Sequence, residues 1–248
     1  MANVLGEMTW VEAEEALKTR RIALLPVGST EQHGHHLPLA TDYILAEEIA
    51  KKVAEQVNAL VLPGIPYGPV YTFRHYAGTI GIRPETLQIM VEDVCRSVKG
   101  QGIDIVAVII GHLTDVPPVQ FAARNLREEG MLVLYLFHPG LDYILKHICE
   151  TKRAHPRVVH AAEVETSLML ALRPDLCQMD KAKVEYPDFP VWYDYVPLST
   201  KGIVRTGTYG DATAASAEKG KKMVDVIVSN IVKILRAVEE DKERLLAM

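Results

Sequence analysis

The eight residues 103–110, IDIVAVII, limit what this chain can fold into more than any other stretch. Only Asp104, near the start, is polar, and Gly102 and Gly111 bound the run. A strand with one face in water alternates apolar and polar side chains. A strand apolar on both faces must be covered on both. Similar short runs occur at residues 22–27, at 59–62 before Pro63 and Gly64, and at 131–137. Between them the pattern is helical. Residues 42–57 carry Ile44, Leu45, Ile49 and Val53 at helical spacing. Residues 84–102 open on proline and close on glycine. Residues 118–130, 161–172 and 213–246 also read as helices. The alternation predicts an α/β fold, a three-layer α/β/α sandwich with a mostly parallel sheet. In such sheets ligands bind at the carboxyl ends of the strands. That places the loops after Val27 and Ile110 on one edge, and both carry histidine. A length of 248 residues, with no repeat and no Ser/Gly-rich linker, suits one domain over 1–248. Residues 181–206, rich in proline and aromatics, fit no regular element and read as an edge excursion or a lid.

Charge and composition exclude several classes. A net charge of −5 offers no concentrated basic face, so nucleic acid is not an expected partner. No apolar run reaches the roughly 20 residues that span a bilayer, so no membrane is expected. The first 21 residues have early acids and no apolar segment, unlike a signal peptide. Cys95, Cys149 and Cys177 show neither metal spacing nor a disulfide framework. They read as reduced core thiols of a cytoplasmic protein.

The loop after the first strand is dense in groups that bind cations or move protons. Glu31, His33, His35, His36 and Asp42 fall within twelve residues. Glu31 and His33, two apart in extended backbone, share a face. A bland reading makes Asp42 a helix cap, Glu31 a solvated acid and the histidines incidental. Three histidines beside two acids at the ligand edge of a sheet favour a metal site instead. His112 follows the most apolar strand. Further on, His160, Glu163 and Glu165 stand near the start of a helix whose remainder is Leu168, Met169, Leu170 and Leu172. First-turn carboxylates suit a helix dipole. On a core helix, though, such charges need partners, because burying them unpaired is costly.

Three segments resemble the creatininase (creatinine amidohydrolase) family. They are LPVGSTEQHGHHLP at 25–38, HAAEVETS at 160–167 and GDATAASAEKG at 210–220. The resemblance implies a binuclear site for two divalent metal ions. Glu31, Asp42 and His112 would hold one ion, and His33, Asp42 and Glu165 the other, with Asp42 bridging. Two imidazoles and three carboxylates without a thiolate suit Zn, Mn or Fe. Against two dications they leave about +1, which a bridging hydroxide neutralises. The family chemistry is attack of metal-bound hydroxide on a polarised carbonyl. His160 matches a family histidine that handles protons near the substrate, as a base and then as an acid to the leaving group. Glu163 would orient it or act beside it. His36 matches a family histidine and would support the ligands, while His35 receives no role. The family often forms hexamers, so a homo-oligomer is expected.

Two departures bear on the substrate. Creatininase proper has a ligating glutamate two residues after the histidine corresponding to His112, but Thr114 stands there in this chain. Glu165 is therefore expected to complete the second site, with Asp115 in reserve. At 70–79, VYTFRHYAGT, the Ser and Glu of a common family motif are gone. Arg74 and His75 would offer hydrogen bonds to an oxygen-rich or anionic substrate, or Arg74 lies at the surface. Trp192, with Tyr193 and Tyr195, would form an aromatic wall or a subunit contact. The expected activity is hydrolysis of a small cyclic amide or cyclic ketone. One alternative is opening the carbocyclic ring of an inosose-type diketone, 3-dehydro-scyllo-inosose, in inositol catabolism. Another is a non-catalytic metal-binding subunit.

Overall fold

The computed structural model describes residues 4–248. β1 (Ile22–Val27), β2 (Ala59–Val61), β3 (Ile105–Ile110) and β4 (Leu132–Phe137) form a parallel sheet in the order β2-β1-β3-β4. The pleat divides the strand side chains between two cores. Ile105, Ala107 and Ile109 pack on one face beneath α2 (Thr41–Ala54), α6 (Glu163–Leu172) and α7 (Ala217–Glu240). Val106, Val108 and Ile110 pack on the other beneath α3 (Pro84–Lys99) and α4 (Val116–Glu128). This is the expected three-layer arrangement, and it explains why β3 is apolar throughout. Among the described residues no helix is long and apolar enough to cross a membrane.

The chain leaves β1 for β2 on one side, then returns to lay β3 on the other. The crevice at the carboxyl ends of β1 and β3 is thus the topological switch point, where an open α/β sheet places its ligand. Register aligns Val27 with Ile110, so the two histidine-bearing loops start side by side. Proline within a central strand normally costs a ladder bond. Pro26 escapes this because β2 has already ended: its carbonyl accepts from Ile65 N–H at 2.9 Å in the loop beyond.

Some expected boundaries move. The helix at 42–57 starts one residue earlier, so Asp42 lies inside its first turn and makes no cap bond. The C-terminal helix starts at Ala217, because the Ser216 hydroxyl accepts from Lys219 N–H, and it breaks at Asp241 before α8 (Lys242–Ala247). α1 (Trp10–Leu17), closed by a Thr9–Glu12 capping box, and α5 (Leu141–His147) have no counterpart in the sequence reading. Within residues 181–206 a two-residue strand, β5 (Val184–Glu185), pairs antiparallel with β6 (Gly210–Asp211). Of the free cysteines, Cys95 is buried in the core and Cys149 and Cys177 are half-buried against it.

Candidate metal centre

Two glycines let the sheet and α2 meet. A Cβ on Gly28, just past β1, would run into the Tyr43 backbone nitrogen. One on Gly111, just past β3, would run into the Asp42 carbonyl oxygen. The first turn of α2 therefore nests backbone-to-backbone between the two strand ends, with the Asp42 carboxylate in the crevice.

Two imidazoles flank that carboxylate. His33 Nε2 is 3.0 Å from Oδ1, and His112 Nδ1 is 3.0 Å from Oδ2. The outer nitrogen of each ring fixes its tautomer. His33 Nδ1 lies 3.1 Å from the Glu31 carbonyl, which only accepts, so Nδ1 carries a hydrogen. Thr114 donates its single hydroxyl hydrogen to the Pro69 carbonyl at 2.7 Å, so at 2.5 Å from His112 Nε2 it must accept. Both rings thus turn an inner lone pair towards Asp42 unless a cation, a proton or a metal, stands between. The Ser29 hydroxyl also donates to Asp42 Oδ2 at 2.8 Å.

Glu31 and Glu165 close the cluster. Glu31 Oε1 is 3.4 Å from His112 Nδ1, and neither of its buried carboxylate oxygens has a hydrogen-bond partner. Glu165 Oε2 is 3.7 Å from His33 Nε2 and accepts from Ala161 N–H at 2.5 Å. Ala161 has φ +47°, a left-handed conformation costing on the order of 1 kcal/mol outside glycine. That turn aims the Ala161 amide at Glu165 and His160 into the crevice. Burial pushes Glu31 up to about 8 and Glu165 up to about 7. Burial acts the same way on Asp42, but His33 and His112 overcome it and hold that carboxyl well below its usual range. Burial would make the His33 imidazolium harder to form, but Asp42 and Glu165 raise the ring to about 10. Such a concentration of mutually shifted groups needs compensating positive charge.

Ligand atoms converge in three overlapping groups: Glu31, Asp42 and His112; His33, Asp42 and Glu165; and Glu31, His33 and His160. The first two share Asp42. An orphaned, buried Glu31 carboxylate and two inner imidazole nitrogens aimed at the Asp42 oxygens fit a pair of divalent cations. Two carboxylates lie elsewhere. Glu163 accepts from the amides of Glu150 and Thr151, from the Thr151 hydroxyl, and from Lys219 Nζ at 2.7 Å, away from the cluster. Asp115 is fully buried against Gly68, with neither oxygen hydrogen-bonded, and joins none of these groups.

His160 overlooks the centre. Its ring stacks on Phe73 at 4.3 Å, and Nδ1 lies 3.6 Å from Glu31 Oε1. Burial, then the neighbouring His33, hold it well below the ordinary histidine value, so it is neutral. His36 donates to or accepts from the Thr166 hydroxyl at 2.8 Å on α6, beside the ligand-bearing turn.

The cluster forms the floor of a cavity of about 480 Å³. Val70, Phe73, Leu113, Phe137, Val158 and residues 193–198 supply much of its wall. Arg74 and His75 are exposed and pair with each other at 3.2 Å, while the Arg74 guanidinium covers the outer face of Tyr71. Neither lines the cavity, nor does Trp192, although Tyr193 and Tyr195 do. The sequence placed Ser29 and Gln32 in a motif and Thr114 at a departure, but gave no role to them, to Phe73 or to Tyr209, because their partners at the site are brought together by the fold.

Fold and site define an α/β protein that gathers carboxylates and imidazoles at a switch-point crevice, the layout of a metal-dependent hydrolase. A sequence model of the creatininase family, described as creatinine amidohydrolase, matches residues 6–235. The chain belongs to the creatininase family of hydrolases. It is 32% identical to a creatinine amidohydrolase of Pseudomonas putida, over 94% of this chain and 95% of that one. It is 30% identical to a mycofactocin precursor peptide peptidase of Mycobacterium ulcerans, over 93% and 92%. With a 3-dehydro-scyllo-inosose hydrolase of Thermotoga maritima it shares 26% identity, over 94% and 82%. Among solved structures, a manganese creatininase superposes with a TM-score of 0.80 and 31% identity, covering 97% of this chain and 99% of that one. A creatininase variant of Zn-Zn type superposes at 0.82 and 31%, covering 97% and 98%.

Proposed function

We propose that this chain is a binuclear-metal hydrolase acting on a small cyclic amide or cyclic ketone. One observation carries the reading. Both His33 and His112 have their outer nitrogens hydrogenated, so a cation, a proton or a metal, must stand between each inner nitrogen and Asp42, beside the orphaned Glu31 carboxylate. Glu31, Asp42 and His112 would hold one ion, and His33, Asp42 and Glu165 the other. Creatininases bearing Mn and Zn-Zn support the choice of metals. When bound, such a pair acidifies water and polarises a carbonyl. The protein's residues do the rest. Asp42 spaces the two half-sites, Ser29 and Thr114 hold the ligands in orientation, and Phe73 clamps the His160 ring over the floor of the cavity. His160 is the group that addresses the reacting atoms of the substrate.

The wall selects the remainder of the substrate. Among the described residues, none of those lining the cavity is a lysine or arginine, so nothing there favours an anionic substituent. Several wall hydroxyls are already engaged. Tyr193 bonds Tyr209 at 2.9 Å, and Thr114 bonds Pro69. An uncharged cyclic amide suits this wall better than a polyol ring. A reducing cytoplasm suits three free thiols. A homo-oligomer suits an open edge strand, β4, on which Tyr135 is 46% exposed.

Metal analysis of Asp42→Ala tests the centre. The purified parent is expected to hold two equivalents of Zn or Mn per chain and the variant fewer than 0.2, roughly a tenfold loss. Unchanged metal content with full turnover of cyclic amides in the variant refutes the assignment.

A further inference from the structure

Gln32 lies between two of the candidate ligands, yet its side chain reaches 128 residues along the chain to His160. Its orientation is settled by its neighbours. One terminal atom lies 3.0 Å from the Gly34 backbone N–H, which only donates, so that atom is Oε1. The other lies 3.2 Å from the Gly207 carbonyl, which only accepts, so it is the NH2. Reversing the amide would set N–H against N–H at Gly34 and oxygen against oxygen at Gly207. The side chain is also closely fitted. Gly207, at φ +78°, has no Cβ where one would collide with the Gln32 amide. The NH2 group is 2.7 Å from His160 Nε2. An amide NH2 only donates, so Nε2 must accept, and the hydrogen of the neutral ring sits on Nδ1.

Nδ1 is the atom that faces Glu31 at 3.6 Å, and the His160 side chain lines the cavity. It also decides among the three overlapping ligand groups. A hydrogenated nitrogen has no lone pair for a cation, so the group made of Glu31, His33 and His160 is eliminated. The two groups that share Asp42 remain.

We propose that Gln32 is a positioning residue that locks His160 as its Nδ1–H tautomer, keeping the imidazole out of the cation set and presenting a neutral hydrogen-bond donor to the reacting oxygen or leaving atom of the substrate. The ring therefore works as a donor at Nδ1 and not as a base. To act as a base there it would have to carry its hydrogen on Nε2, directly against the Gln32 NH2. The catalytic consequence rests on the hydrolase reading, but the tautomer does not.

The test is a long-range proton–nitrogen correlation spectrum of ¹⁵N-histidine-labelled, zinc-loaded protein, recorded without substrate. The His160 signals are assigned by their loss in His160→Gln. In the parent, Nδ1 is expected in the hydrogenated nitrogen range and Nε2 in the lone-pair range. Gln32→Glu offers only acceptors, so the two signals should exchange ranges. Gln32→Leu removes the partner, so the ring should populate both forms. For any amide found to be turned over, kcat in Gln32→Leu should fall at least tenfold with KM within twofold and metal content unchanged. A parent His160 hydrogenated at Nε2 overturns the proposal. So does a Gln32→Leu or Gln32→Glu protein that keeps the parental pattern. If one variant fails to fold, the other and the parent spectrum still decide. If the spectra are as expected but no amide or ketone is hydrolysed, the hydrolase reading falls and the tautomer assignment stands.

Discussion

Replacing Glu163 with alanine should destabilise the protein strongly while leaving the centre intact. The carboxylate is 2% exposed. It accepts from Glu150 N–H at 2.9 Å, Thr151 N–H at 2.9 Å, the Thr151 hydroxyl at 2.6 Å and Lys219 Nζ at 2.7 Å. It thereby ties the 150–151 turn and the start of α7 to the start of α6. Each hydrogen bond to a charged group is worth roughly 1.5–3 kcal/mol. Removing one partner of a buried ion pair costs about 3–5 kcal/mol, because the other charge is left behind. Water reaching Lys219, which also bonds Glu150 and the Ala214 carbonyl, recovers part of this. A net loss of about 3 kcal/mol lowers the melting temperature of a chain this size by roughly 6–12 °C. Scanning calorimetry of Glu163→Ala with metal analysis reads both quantities. At 25 °C the variant should hold the parental metal content. A melting point within about 2 °C of the parent, or turnover lost in a variant that melts like the parent, would show that Glu163 serves the chemistry and not the scaffold.

Two further outcomes follow from the geometry. Because Arg74 and Trp192 do not line the cavity, Arg74→Ala and Trp192→Ala should each change kcat/KM by less than about threefold (~0.65 kcal/mol). A tenfold loss in either, measured on any substrate found, would place that side chain at the site. Burial pushes His138 down to about 4, so the ring is neutral in the folded chain and titrates near 6.5 when unfolded. Its contribution is complete above about pH 6.5 and is lost as pH falls towards 4, up to about 3 kcal/mol. His138 has φ +39°, which asparagine tolerates. Urea midpoints of parent and His138→Asn should therefore converge between pH 7.5 and pH 5, and parallel curves would contradict this.

Much of this was legible in the sequence, for identifiable reasons. The twofold apolarity of residues 103–110 required a covered parallel sheet, and the strand-end rule then placed Glu31, His33 and His112 on one edge. The segment HAAEVETS, which resembles the family, located Glu165 and His160. What was not legible depends on side chains that meet only after folding. Glu163 stands two residues from Glu165 in the same first turn, yet faces a different neighbourhood, and spacing alone does not reveal which of the two turns inward. The resemblance marked Asp42 as the bridging ligand, but local pattern alone, which also allowed a helix cap, cannot show that Gly28 and Gly111 draw the whole turn into the crevice. Arg74 and His75 carry polar chemistry suited to a substrate, but the loop turns them outward and presents Val70 and Phe73 instead.

The nesting of α2 against Gly28 and Gly111 has an architectural consequence. The Asp42 backbone is located by main chain resting on main chain, so only its own two side-chain torsions separate the carboxylate from the sheet. A methyl group added at either glycine would act as a shim under the helix, displacing both half-sites together instead of loosening one.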